Sequence, residues 1–309
     1  MNLMVFDVGG TEIKYCVMNE SLERKLAGSR PTPLDTQEHF FLIVKEIFDE
    51  VVLGFESLNG EKIHGVAMSL PGFIDSKKGR NNGGGFMIYN QGKSIGPELS
   101  ELLGVPVHLA NDGKCAAYAE FSVGSLQGTT NSAVYICGTG VGGGLIIDGK
   151  LMCGPHYTAG EYSFMRTGFE GWGQLDYSLG YTGGSRGLLI RYFREAGLPD
   201  DTKMNGKELF ELINSGDELA NKVLNDYARH VAMAIFNIHA LLDLEKVAIG
   251  GGISRQPILL DKIRENLQDL FERNIYDAML PRPEIVACKY GNDANMIGAY
   301  MFYQNEMHE

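Results

Sequence analysis

The residues of this chain best suited to chemistry are three carboxylates and three glycine-rich turns. Asp7 closes an apolar run, Met4 to Phe6, and is followed by Gly9, Gly10 and Thr11. A charge at the end of a buried strand is costly unless it is paired or lies near a metal. A hydrated Mg2+ beside a nucleotide phosphate would satisfy it, as would a hydrogen bond to its own turn. Asp112 follows Asn111 where a short apolar run (105–110) gives way to helical composition (113–123). Ligands of α/β proteins bind beyond the carboxyl ends of strands, so this pair is a candidate for proton transfer; a plain helix N-cap is the alternative. Glu161 stands alone in a polar loop (156–163).

The glycines fall at matching places. Residues 134–147 read as strand, turn, strand, with Gly138, Thr139 and Gly140 at the turn and Gly142, Gly143 and Gly144 after it. That density lets backbone N–H groups converge on an anion, and Thr139 adds a hydroxyl; a glycine-rich hairpin with a bulge would read the same way. Residues 4–18 repeat the pattern around Gly9-Gly10-Thr11, with Ile13, Tyr15 and Val17 alternating afterwards. Two related halves are expected, each opening on strand, glycine turn, strand. A third turn, Gly250-Gly251-Gly252, separates a strand (246–249) from a helix (257–276) and could admit a planar ligand or phosphate.

The elements that position these residues are expected as follows. A helix spans 35–52, with Asp35 and Glu38 spaced as a capping box and Phe40, Phe41, Val44, Ile47, Phe48 and Val51 on one stripe. A buried strand (65–70) ends at Pro71-Gly72, and a glycine- and asparagine-rich loop follows from 75 to 90. Helices are expected at 96–103, 185–196, 206–213 behind Asn205, 217–242 and 294–304, with a last strand at 285–289. The stretch 169–185, rich in Gly, Tyr and the lone Trp, resists assignment.

A chain of 309 residues can hold two domains. Its net charge of −12 argues against a nucleic-acid partner but not against a nucleotide, which needs only a local nest and a metal. No apolar run approaches the roughly 20 residues that span a bilayer. The first residues enter a strand pattern with no basic stretch or cleavage site, so a cytoplasmic enzyme is expected. Cys16, Cys115, Cys137, Cys153 and Cys288 are scattered and form no Cys-x-x-Cys pair, which fits neither a disulfide framework nor a thiolate zinc site.

Together these motifs resemble those of the ROK family of bacterial sugar kinases and repressors, in the actin/sugar-kinase/Hsp70 superfamily. Asp7-Val8-Gly9-Gly10-Thr11 resembles its first phosphate motif, Asn111-Asp112 its catalytic pair, Gly138 to Gly144 its second phosphate motif, Ile249 to Gly252 its adenosine motif and Ala159-Gly160-Glu161 its sugar-binding segment. The resemblance implies a duplicated ribonuclease-H-like (actin/hexokinase-type) α/β fold with a central cleft. It places residues 1–112 and about 290–309 in a smaller domain and about 113–289 in a larger one. It implies transfer of the ATP γ-phosphoryl group to a sugar hydroxyl, by family habit the 6-OH. Asp112 would be the base. Asn111, Asp112, Glu161, Gly72, Gly84 and Phe164 would contact sugar. Asp7, Gly9, Gly10, Thr11, Lys14, Gly138, Thr139, Gly140, Gly250, Gly251 and Gly252 would bind ATP, with Mg2+ held indirectly near Asp7. A homodimer is also implied, with no nucleic-acid or membrane partner.

The chain departs from the family at two places. Many members follow Ala-Gly-Glu with one residue and Gly-His, and later carry a Cys-x-Cys-Gly-x-x-Gly-Cys zinc loop. Here Phe164 stands where that His would be and no cysteine cluster follows. The pattern resembles the zinc-free β-glucoside-kinase type. It implies no zinc and a pocket that tolerates a substituent on the anomeric oxygen. A kinase of a free hexose (glucose, N-acetylmannosamine, fructose or allose) and a non-catalytic sugar sensor are the other readings. The repressors carry a DNA-binding module before the first motif, whereas six residues precede Asp7 here.

Overall fold

The computed structural model describes residues 1–168 and 172–306, so part of the unassigned 169–185 stretch, residues 169–171, lies outside the described residues. The chain divides into two compact units. Met1–Ala119, Cys153–Ala159 and Asp293–Glu309 form the first, and Glu120–Met152 with Gly160–Asn292 the second.

The first unit contains β1 (Asn2–Val8), β2 (Glu12–Met18), β3 (Arg24–Pro31), α1 (Gln37–Asn59), β4 (Ile63–Leu70), a small hairpin of β5 (Ile74–Asp75) and β6 (Arg80–Asn81), α2 (Ile95–Leu103), β7 (Val107–Asn111) and the start of α3 (Asp112–Ser122). Its sheet runs β3-β2-β1-β4-β7, with β1 to β3 antiparallel and β4 and β7 parallel to β1. The second unit contains β8 (Ser132–Cys137), β9 (Val141–Ile147), β10 (Lys150–Leu151), α4 (Leu179–Thr182), α5 (Ser185–Glu195), α6 (Gly206–Asn214), α7 (Glu218–Leu242), β11 (Lys246–Gly250), α8 (Pro257–Glu272) and β12 (Glu284–Ala287); α9 (Ala294–Glu306) returns to the first unit. Its sheet runs β10-β9-β8-β11-β12, again three antiparallel strands followed by two parallel ones. This is the duplicated ribonuclease-H-like plan, written twice.

Each unit has its own core. Met4, Phe6, Phe40, Phe55, Met68 and Leu109 are among the buried residues of the first, and Tyr135, Leu209, Tyr227, Ile249 and Phe271 among those of the second. Parallel strands buried on both faces read as continuous apolar runs, which is why β1, β4, β8 and β11 were visible in the sequence. β3 was not. It is an edge strand of sequence Arg-Lys-Leu-Ala-Gly-Ser-Arg-Pro, exposed along almost its whole length, so it has no apolar period to read.

Other boundaries moved for local reasons. The N-cap of α1 is Thr36, whose Oγ1 accepts the His39 N–H (3.1 Å), while Asp35 meets the His39 ring (2.9 Å) instead of capping. The helix continues past the expected end at 52 because buried Phe55 prolongs its stripe, and left-handed Gly60 stops it. The 75–90 loop holds the β5–β6 hairpin and a 3-10 turn, Ile88–Asn90. At α6, Asn205 and Glu208 form a full capping box, and α8 ends at Glu272. The division between units also falls later in α3 than residue 112. A side chain at Gly298 of α9 would come within 1.8 Å of the Cys115 carbonyl, so the first turns of α3 pack with α9. Among the described residues no helix is long and apolar enough to cross a membrane.

In the second unit the Glu120 carboxylate is fully buried. It accepts hydrogen bonds from Ser125 N (2.9 Å), Ser125 Oγ (2.9 Å) and Tyr290 N (3.0 Å). Replacing one carboxylate oxygen by an amide NH2 sets a donor against donors, and leaves a buried hydrogen bond unmade. Glu120→Gln is therefore expected to lower stability by about 1–3 kcal/mol. Urea unfolding measures this, and an unchanged midpoint would remove the network from the account.

Candidate active site

The first glycine turn is closed by Gly9 N–H to Glu12 O (3.0 Å), one residue beyond the Val8–Ile13 pair of the β1–β2 hairpin. Gly10 and Thr11 are exposed at its tip. Thr32, just past β3, holds the turn from behind: its Oγ1 donates to Gly9 O (2.7 Å) and its N–H to Thr11 O (3.1 Å). Carbonyls occupied in this way leave the tip's N–H groups as the groups able to meet an anion. The Phe86 ring lies 3.7 Å from where a Gly10 Cβ would be. Neither Thr32 nor Phe86 carries a signal in the sequence.

Asp7 is 8% exposed, and its Oδ1 accepts Ser69 Oγ and Asn295 Nδ2, each at 3.0 Å. Burial pushes its carboxyl above the usual range, and those two donors oppose the shift. Lys14 faces Asp7 directly across β1 and β2 and also lies 3.5 Å from Glu12. Ser69 was unflagged, a small polar residue in an apolar strand. Asn295 lies 288 residues from Asp7 in the chain.

The register carries Asp7 opposite Ser69 on β4, and Ser69 opposite Ala110 on β7; Asn111 is next. Asp7 and the Asn111-Asp112 pair therefore share one carboxyl edge two strands apart, about 10 Å at the usual strand spacing. Asn111 caps α3, its Oδ1 accepting Lys114 N (3.0 Å). Its amide donates to Gly72 O (2.9 Å) and Asp112 Oδ1 (3.0 Å), and Asp112 Oδ1 also accepts Gly113 N (2.8 Å). Both amide hydrogens of Asn111 are thus committed, so towards a sugar it can only accept. The capping side chain and the carboxylate it bonds thus belong to two neighbouring residues.

Gly72 is held in the left-handed region (φ 106°), and a Cβ on it would lie 2.9 Å from the carbonyls of both Gly83 and Gly84. Phe73 N–H to Gly83 O (2.7 Å) completes the fold of this loop over Pro71-Gly72. The structure therefore brings Gly72, Gly84, Asn111 and Asp112 together.

In the second unit the Gly138-Thr139-Gly140 turn follows the Cys137–Val141 pair of β8 and β9. Here α5 does what Thr32 does in the first unit. Ser185 N–H donates to Gly138 O (2.8 Å) and Arg186 N–H to Thr139 O (3.3 Å). A side chain on Gly184 would reach 2.5 Å from the Thr139 and Gly140 carbonyls. Gly250 pairs with Ile136, and Gly251 (φ 93°) rests on β8 so closely that a Cβ would be 2.2 Å from Cys137 O. The third glycine turn thus adjoins the second, with Gly252 exposed beside it.

Gly143 and Gly144 lie within β9, beyond the turn, and pack against an aromatic ring. A Cβ on Gly143 would collide with the Tyr162 ring at 2.4 Å, and Tyr162 Oη donates to Gly144 O (3.2 Å). A Cβ on Gly160 (φ 77°) would lie 3.1 Å from Gly144 Cα. These bare stretches of β9 seat the segment bearing Glu161, which opens the 3-10 turn Tyr162–Phe164. Phe164 is 63% exposed at the end of that turn.

Asn295→Ala removes one donor to ionised Asp7, so the Asp7 carboxyl should titrate higher still. The acid limb of the turnover–pH profile is expected to move to higher pH. A limb that stays in place would show that Asp7 ionisation does not limit turnover.

Two α/β units of one plan, each with a hairpin turn shaped for an anion, define the actin/hexokinase type of fold. The chain belongs to the ROK family, whose model matches residues 4–306. It is 28% identical over 306 residues to the β-glucoside kinase of Klebsiella pneumoniae, covering 98% of this chain and 97% of that one. It is 27% identical over 307 residues to the N-acetyl-D-glucosamine kinase of Vibrio atlanticus, covering 95% and 97%. Among solved structures, a ROK family protein from Streptococcus pneumoniae in complex with sucrose superposes with a TM-score of 0.84 at 26% identity, covering 100% of this chain and 99% of that one.

Proposed function

We propose that this chain is an ATP-dependent sugar kinase that phosphorylates a sugar hydroxyl, the 6-OH, of a β-glucoside such as cellobiose. The observation that carries the kinase reading is the Asn111-Asp112 pair, bonded to Gly72 at the same strand edge as Asp7 and the first glycine turn. A sugar hydroxyl is a poor nucleophile. Asp112 accepts its proton as the new oxygen–phosphorus bond forms and the bond from the γ-phosphorus to the ADP oxygen breaks. Asn111 keeps Asp112 in place through Oδ1 and presents its own Oδ1 to a neighbouring hydroxyl, while Glu161 accepts from others.

The backbone N–H groups of Gly10 and Thr11, at the tip of the turn that Gly9 closes, and those of Gly138, Thr139 and Gly140 serve the phosphates, with Lys14 adding charge. Gly250, Gly251 and Gly252 serve the adenosine. Asp7 fits Mg2+ as an oxygen ligand acting through water, the usual mode for a metal that arrives on nucleotide phosphates. Among the described residues no group of three or more His, Cys, Asp or Glu could hold an ion. When bound, the metal neutralises charge on the transferring phosphoryl group. The enzyme works in the cytoplasm, where ATP is, and as a homodimer.

Phe164 supports the glycoside reading: an exposed ring at this position offers an apolar wall where other family members place a zinc-linked His. The Klebsiella relative and the sucrose complex both concern sugars with a substituted anomeric oxygen. The free-hexose reading is favoured by the Vibrio relative, whose identity to this chain is nearly the same.

Turnover on cellobiose or gentiobiose should exceed that on glucose and N-acetylglucosamine in an ADP-release assay. Activity confined to free monosaccharides would sink the glycoside reading, and none on any sugar would favour a sensor. Asp112→Asn should lower kcat by about 10²–10⁴ while sugar still binds in calorimetry. Near-normal turnover would refute Asp112 as the base.

A further inference from the structure

Gly183 closes α4, its N–H donating to Leu179 O (2.7 Å), and Gly184 is the N-cap of α5. The donors that occupy the carbonyls of the Gly138-Thr139-Gly140 turn come next in the chain. Ser185 N–H meets Gly138 O and Arg186 N–H meets Thr139 O. Whatever fixes the backbone at Gly183 therefore fixes both donors. All of these residues belong to the second unit.

Two buried tyrosines converge on Gly183. Tyr227, on α7 and fully buried, donates its Oη to Gly183 O (2.7 Å). Burial pushes its phenol well above the usual value, so the hydroxyl keeps the proton it donates near neutral pH. Tyr135, on β8 and 1% exposed, places its Oη 2.6 Å from where a Gly183 Cβ would be. That second hydroxyl has no hydrogen-bond partner among the described residues. Tyr135 limits the space at Gly183, whereas Tyr227 bonds its carbonyl.

The bond matters because the next contact has no slack. Gly183 is buried, and a buried carbonyl that loses its donor must move or be hydrated again. Either change draws Gly184 and Ser185 with it. A Cβ on Gly184 would already sit 2.5 Å from the carbonyls of Thr139 and Gly140, so α5 and the turn touch through bare backbone. With the start of α5 displaced, the carbonyls of Gly138 and Thr139 lose their donors and present negative ends to an anion.

We propose that Tyr227 is a positioning residue for the nucleotide phosphates. Through Gly183 O it holds the start of α5 on the Gly138-Thr139-Gly140 turn, and so sets nucleotide affinity from the core without touching the nucleotide. The proposal rests on the nucleotide-binding part of the kinase reading above.

The test compares the full-length wild type with Tyr227→Phe, Tyr135→Phe and Gly184→Ala, by calorimetry with ADP and Mg2+ and by steady-state kinetics. Tyr227→Phe keeps the ring and removes only the donor. Loss of one net hydrogen bond predicts an ADP affinity about three- to tenfold weaker and an ATP KM higher by the same factor, with the cellobiose or glucose KM within about twofold of wild type. Tyr135→Phe removes a hydroxyl that bonds nothing at the same glycine, so ADP affinity should stay within about twofold. Gly184→Ala disturbs the same contact from its other side and should weaken ADP at least as much as Tyr227→Phe. Combining the two should add little, because both act on one contact. Unchanged ADP affinity in a folded Tyr227→Phe protein would overturn the proposal. So would an equal loss in Tyr135→Phe or a parallel rise in the sugar KM, the marks of general loosening. If Tyr227→Phe does not fold, Gly184→Ala carries the test, and undiminished ADP affinity there overturns the link from α5 to the turn. A wild type that binds ADP but transfers no phosphoryl group to any sugar would instead overturn the kinase reading and leave the ADP comparison intact.

Discussion

Two backbones touch at the carboxyl edge of the second sheet with no room for a methyl group between them. A Cβ on Gly251 would sit 2.2 Å from the Cys137 carbonyl, and one on Gly184 would sit 2.5 Å from those of Thr139 and Gly140. These approaches bring the third glycine turn and the start of α5 onto the second hairpin turn. A nucleotide's two ends need such a surface, with backbone donors for the phosphates and a flat opening for the base. Any side chain at either glycine would push one of the three elements away.

Both hairpin turns satisfy the same backbone requirement by different means. A tight turn exposes carbonyls as well as N–H groups, and an unoccupied carbonyl beside a phosphate repels it. In the first unit Thr32 takes the carbonyls of Gly9 and Thr11; in the second the first N–H groups of α5 take those of Gly138 and Thr139. One solution uses a residue after an edge strand and the other a helix N-terminus. The first unit adds Asp7, a carboxylate buried at a cost that Ser69 and Asn295 offset.

The residues expected to meet sugar stand on loops that the sheets only support. Gly72 and Gly84 belong to a loop folded on itself, and Asn111 ties it to α3. Glu161 and Phe164 ride on a turn seated by Tyr162 against the bare face of β9. The edge that carries Asp7 and Asn111 is built from strand register, which one residue of slip would destroy. The loops are free of that constraint, and loops are where relatives of one fold differ most.

The sequence by itself determined the plan. Apolar runs with glycine turns at Gly9–Thr11 and Gly138–Gly140 were readable as a duplication because buried strands and clustered glycines leave strong local marks. Asn111, Asp112 and Glu161 stood out as polar residues at the ends of apolar or glycine-rich segments. What only the tertiary structure decided has no local mark. The exposed edge strand β3 and Thr32 behind it have no period. Asn295 serves Asp7 from the opposite end of the chain. Gly143 and Gly144 read as part of one glycine cluster, and the Tyr162 ring eighteen or nineteen residues away fills the space beside them. Periodicity reports which face of an element is buried. It cannot report which distant residue will fill the space or supply the hydrogen bond, because that partner is chosen by register and packing once both sheets have formed.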